Sequence, residues 1–138
     1  MFGRKKLTVD SFSNLIAEGT EISGTIMFTG VILVRGKVTG NVIASVRDAD
    51  AKKQSDCISV ARTGEVSSSE ITATNIVIEG RVTAKKIWAE DTIRIASTAV
   101  ITGGTTVYCR NIEIEPGATL NECQVRHLDH LSEGEKSE

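Results

Sequence analysis

Apolar residues two apart recur along this chain in short bursts, each followed by a turn-forming residue. In NIVIEGRVTA, residues 75–84, Ile76, Ile78 and Val82 alternate with Val77, Glu79 and Arg81 around Gly80. ILVRGKVTGNV, residues 32–42, is nearly the same phrase. Alternation with a period of two predicts strands rather than helices. In degraded form the phrase occupies residues 15–26, 32–42, 57–71, 76–87, 93–104 and 112–125. Gly, Asn, Asp and Ser fall between the bursts, where turns belong. Taking Ile22, Val38, Val66, Val82, Ile101 and Leu120 as equivalent gives steps of 16, 28, 16, 19 and 19 residues. The long step holds SVRDADAKKQSD, residues 45–56, which is polar and aperiodic and reads as a loop inserted between turns.

Regular short strands also build sandwiches. A sandwich does not require successive strands to restate one phrase; a solenoid does, because each turn stacks on the last. The pattern therefore predicts an all-β, parallel β-helix of about six coils, each with about three short strands. Steps of 16–19 residues at ~3.3 Å per residue close a loop that holds one column of side chains inside. Six coils at ~4.8 Å make a rod roughly 29 Å long. Left-handed β-helices with acyltransferase activity keep a strict six-residue period. The uneven steps here favour a right-handed helix. Residues 1–13 and 127–138 lack the period and read as disordered tails on a β-helix spanning 14–126.

Composition agrees. Aromatics are 4% of the 138 residues and there is one Pro, so the core is built from Val and Ile rungs rather than large rings. A formal net charge of −2 gives no basis for nucleic-acid binding by charge alone. No apolar run approaches the ~18 residues of a membrane span. The first residues lack the apolar segment of a secretory signal. Cys57, Cys109 and Cys123 are odd in number and unmatched in spacing, and are expected as reduced cytosolic thiols in or near the core.

The spacings in GTEISGTIMFTGVILVRGKVTGNV, IVIEGRVTA and IEIEPGATLNECQV resemble the bactofilin family over residues 14–126. Three departures stand out. The insertion at 45–56 is longer than the family's usual turn, Ser68 and Ala84 replace glycines, and Leu120 stands where the family often has a large aromatic. The resemblance implies a bacterial cytoskeletal protein with a right-handed β-helix fold. Such proteins polymerise end to end without nucleotide, often on the inner face of the cytoplasmic membrane. Cell-wall synthesis or hydrolysis proteins are the implied partners, and cell shape the implied output.

Part of this follows from physics alone. The open ends of a β-helix present unpaired backbone groups and a disc of apolar core, so they need caps. Neither tail carries an amphipathic capping pattern. Closure by other copies would bury Leu15, Ile16 and Ile22 of the first coil and Ile112, Ile114, Leu120 and Val125 of the last. No GxxxxGK[ST] motif is present to bind a nucleotide.

The start of the chain, MFGRKKL, brackets Arg4, Lys5 and Lys6 with Met1, Phe2 and Leu7. Each cation is worth about 1 kcal/mol near an anionic headgroup surface. A buried Phe adds about 2 kcal/mol, and repetition along a filament multiplies the attachment. The segment resembles the membrane-targeting peptide of many bactofilins. Phe2 occupies the position that myristoylation reserves for Gly.

Other chemistry is weaker. His127, Asp129 and His130 form HLDH, but no further ligand lies nearby, so no metal site is expected. Asp48, Asp50 and Asp56 lack the Gly and closing Glu of a calcium loop, and Lys52 and Lys53 oppose a cation. Trp88 reads equally as packing or as an exposed anchor. Both histidines lie in the tail, and a narrow core leaves no cavity for acid–base chemistry. No catalytic residue and no cofactor are expected. Two other readings remain: a sugar-modifying or acyl-transferring β-helix enzyme, and a monomeric β-helix that recruits a partner on one face.

Overall fold

The computed structural model describes residues 14–45 and 56–128. Residues 1–13, 46–55 and 129–138 lie outside that description, and with them the tails and most of the inserted segment. Among the described residues the chain winds through strands only, three sides to a coil. Coil 1 holds β1 (Asn14–Ile16), β2 (Glu21–Ser23) and β3 (Ile26–Phe28). Coil 2 holds β4 (Val31–Val34), β5 (Lys37–Thr39) and β6 (Val42–Ala44). Coil 3 begins with β7 (Cys57–Val60) and β8 (Glu65–Ser67). Then β9 (Glu70–Ile78) rounds a corner without a break and opens coil 4. After β10 (Arg81–Thr83), β11 (Lys86–Ile95) does the same into coil 5. Coil 5 goes on through β12 (Val100–Thr102) and β13 (Thr106–Cys109). Coil 6 holds β14 (Asn111–Ile114), β15 (Thr119–Leu120) and β16 (Gln124–His127).

All the strand pairings are parallel, each to the strand one coil away. The six residues equated in the sequence form one unbroken ladder: Ile22 beside Val38, then Val66, Val82, Ile101 and Leu120. That ladder is the central column of a separate six-stranded side. The other two sides merge into one ten-stranded sheet, because β9 and β11 run continuously around their shared corner. Three separate strands per coil were expected; here the last strand of coil 3 runs on into the first of coil 4, and the last of coil 4 into the first of coil 5. The extra residue at the Glu90–Asp91 corner is absorbed as a bulge between Ala89 and Thr92.

The core is a prism of stacked β-branched rungs. One side contributes Ile32, Ile58, Ile76 and Ile93 in register, and beside them Val34, Val60, Ile78 and Ile95. Another contributes Val42, Ile71, Ile87 and Val107. All are buried. β-Branched side chains suit this because their restricted χ1 fits the pleated surface at little entropic cost.

The corner before the six-stranded side decides how tightly coils stack. Coils 1, 3, 5 and 6 take it in four residues (17–20, 61–64, 96–99, 115–118), coils 2 and 4 in two (35–36, 79–80). In the short turns Gly36 and Gly80 lie directly against the backbone of the coil below. A Cβ on Gly80 would run into the carbonyls of Ala61 and Gly64. Hydroxyls of the wide turns satisfy carbonyls of the short ones: Thr63 Oγ1 donates to Arg35 O at 3.0 Å and Thr98 Oγ1 to Glu79 O at 2.7 Å.

The inserted segment leaves and re-enters on anchored residues. Ser45 N donates to Phe28 O, and the Asp56 carboxylate accepts from Thr74 N and Thr74 Oγ1 at 2.9 and 2.8 Å. Residues 45 and 56 are therefore part of the coil wall rather than of the loop. At the other end, β16 runs through His127, and Leu128 is buried. Both belong to the last coil, two residues further than periodicity reached.

Candidate functional site: the two ends of the solenoid

Among the described residues, each end of the stack leaves strands paired on one side only: β1, β2 and β3 pair with coil 2, and β14, β15 and β16 with coil 5. Their outer N–H and C=O rows are templates for another strand. The core columns also stop there. Ile114 continues the column of Ile95 but is 46% exposed, and Val125 continues that of Val107 but is 38% exposed. Ile112 and Leu120 continue two further columns and are half-buried. These four expected residues are brought together as one apolar disc, to which Ala118 and Cys123 also belong.

The first coil presents a different surface. Ile16 is 6% exposed and Ile22 half-buried. Leu15, expected beside them, faces outwards and is 55% exposed. Its ladder explains why: Leu15 lies beside Leu33, then Ser59, Val77, Arg94 and Glu113, a column that turns polar because it faces solvent. Ile26 and Phe28 complete the first-coil disc instead, with Phe28 buried and Ile26 half-buried. Sequence reasoning missed both. The signal was the run Ile26-Met27-Phe28, which repeats one coil later as Val42-Ile43-Ala44.

Around the last disc, Glu115 ties coil 6 to coil 5. Its carboxylate accepts from Ser97 N at 2.9 Å and from Arg94 Nη2 at 3.2 Å. The Ser97 amide and the Arg94 guanidinium hold the carboxyl below the usual carboxylate range. A depressed carboxyl stabilises the fold above its ordinary pKa, and the contribution is lost as pH falls through the depressed value. Glu115→Gln is therefore expected to flatten the acid limb of a melting-temperature profile between neutral pH and pH 3. The group is fully exposed, so the change is small. Identical wild-type and variant profiles would remove Glu115 from this role.

The remaining candidates separate cleanly. Cys109 is a buried core residue, Cys57 a half-buried wall residue between Val31 and Asn75, and Cys123 half-buried in the last coil. Burial pushes all three thiols up, helped at Cys57 by the Asp56 charge, so they stay protonated at neutral pH. Asp48, Asp50, Asp129 and His130 lie outside the described residues, as do Met1, Phe2, Arg4, Lys5, Lys6 and Leu7. No cluster of metal-ligating side chains occurs among the described residues. Trp88 faces outwards, half-buried and stacked on Tyr108 with ring centroids 5.1 Å apart.

A six-coil parallel β-solenoid with a core of stacked Val and Ile rungs defines the structural class. The sequence model of the bactofilin family, described as polymer-forming cytoskeletal, matches residues 14–124. The chain belongs to the bactofilin family. A crystal structure of the bactofilin from Thermus thermophilus, in a Phe-to-Arg mutant form, shares the fold. It superimposes with a TM-score of 0.61 at 24% identity, over 74% of this chain and 98% of that one. No curated protein sequence matches.

Proposed function

We propose that this bactofilin polymerises end to end through its terminal coils, without nucleotide, and that the filament lies on the cytoplasmic membrane. There it would act as a non-enzymatic scaffold for cell-wall or cell-shape machinery. The observation that carries the polymer is the abrupt change along two core columns at the last coil. Ile95 and Val107 are buried, while Ile114 and Val125, one coil on, are open. Burial of apolar area is worth about 25 cal/mol per Å², and a second copy stacked on coil 6 recovers it while pairing the free strand edge. Membrane attachment rests on the sequence of residues 1–7, whose three cations and Phe2 suit an anionic interface.

Both parts can be tested on one preparation. Protein freed of nucleotide is sedimented with and without vesicles containing anionic lipid. The expected result is pelleting at high speed without vesicles, and flotation with anionic vesicles that Phe2→Asp abolishes. Pelleting that requires added nucleotide would overturn the first part. Flotation of Phe2→Asp equal to wild type would overturn the second.

A further inference from the structure

The outer wall formed by β9, β11, β13 and β16 carries a surface that assembly through the ends leaves unused. Trp88 stacks on Tyr108 one coil away. Lys86 Nζ sits 5.3 Å from the Trp88 centroid and 5.8 Å from that of Tyr108, within cation–π range. Trp88 Nε1 donates to Glu90 at 3.0 Å, which fixes the indole. Beside the rings lies a cleft of about 140 Å³ lined by Trp88, Glu90, Arg110 and Leu128.

Leu128 is the informative member. It is 3% exposed, yet it packs outside the prism core. Its companions in the cleft come from coils 4 and 5, so the last described residue lies against the outer wall, below the open end of coil 6. The chain goes on from there as DHLSEGEKSE, with four carboxylates against one lysine, and Leu131 among them. The wall carries a small positive excess: Lys86, Arg110 and Arg126 stand on its outward positions against Glu90, which accepts from the indole, and Glu70, which accepts from Thr72.

We propose that this aromatic wall is a docking surface for an acidic segment with an aliphatic anchor, and that residues 129–138 of the same chain are its occupant. Ten residues reach at most ~36 Å, and the wall from coil 6 to coil 4 is only ~10 Å high. Tethering at Leu128 supplies a millimolar effective concentration, so weak charge pairing suffices. The occupant covers the rings and leaves the end disc of Ile114, Leu120 and Val125 open for stacking.

Trp88 is the single tryptophan of the chain, so its fluorescence reports on this surface alone. The test compares acrylamide quenching of Trp88 in the full-length protein with that of a variant carrying Asp129→Asn, Glu133→Gln, Glu135→Gln and Glu138→Gln. These changes touch no residue of the solenoid wall. Quenching is expected to rise roughly twofold in the variant, and likewise in wild type at 1 M salt, where the Debye length shrinks to about 3 Å. A synthetic 129–138 peptide is expected to restore protection in the variant. Equal quenching in wild type and variant at low salt would overturn the proposal. So would protection that disappears when Leu120→Arg is introduced to stop stacking, because the wall would then be covered by a neighbouring copy. Repeating the comparison in the Leu120→Arg background separates this proposal from the polymer reading: protection kept there stands whether or not wild-type subunits stack.

Discussion

Gly80→Val is expected to cost more than about 3 kcal/mol and to break the solenoid near its middle. Gly80 is buried in a two-residue corner where the backbone of coil 4 rests on that of coil 3. Its neighbours are fixed by hydrogen bonds in both directions. Glu79 N donates to Val60 O at 2.8 Å, Arg81 N to Gly64 O at 3.1 Å, and Val100 N to Gly80 O at 3.0 Å. A Cβ meets the carbonyls of Ala61 and Gly64, which are backbone atoms and cannot rotate away. Relief requires the two coils to part, and in a solenoid each coil is held only by its neighbours. Gly19 gives the contrast. A Cβ there meets nothing within 4 Å, and only its φ of +92° opposes a side chain. Gly19→Ala is therefore expected to cost about 1–2 kcal/mol. Guanidinium unfolding followed by circular dichroism checks both; a Gly80→Val melt no worse than that of Gly19→Ala would refute the close-approach argument.

The second large effect is expected at the end disc. Leu120→Arg should leave a folded subunit, because Leu120 is half-buried at the end of its ladder and a longer side chain can bend into solvent. In a joint between subunits the same guanidinium is trapped among Ile112, Ile114 and Val125. An unpaired charge there costs several kcal/mol, and each 1.4 kcal/mol is tenfold in association, so assembly weakens by at least about 100-fold. Leu15→Arg is the control. Leu15 lies in the first coil but on the outward column, so the substitution is expected to leave assembly unchanged. Sedimentation velocity distinguishes them. If Leu15→Arg blocks assembly as strongly as Leu120→Arg, side-chain exposure on the terminal coil matters more than position in the core column.

The central ladder was legible because solenoid stacking writes spatial neighbours as sequence periodicity. Ile22, Val38, Val66, Val82, Ile101 and Leu120 could be aligned across unequal steps because each is followed by a polar residue and all but Ile101 are also preceded by one. Phase was harder. In Leu15-Ile16 both residues are apolar, and only the later members of the Leu15 column, Arg94 and Glu113, reveal that it faces solvent. The fused β9 and β11 were not legible, since a corner turned within a continuous strand carries no Gly or Pro to mark it. The Trp88–Tyr108 stack was hidden by its 20-residue separation, although the Ile87–Val107 register places the two rings one above the other. What covers the ends is not written in any one chain's periodicity, because the partner residues would belong to another copy.

The most direct measurement is cryo-electron microscopy of wild-type protein polymerised with no nucleotide present. Continuous stacking predicts filaments one solenoid wide, with an unbroken strand spacing of about 4.8 Å running across the subunit joints and about 29 Å of axial length per six-coil subunit. Uniform monomers would contradict it. So would filaments in which subunits associate through their side walls and leave Ile114, Leu120 and Val125 exposed.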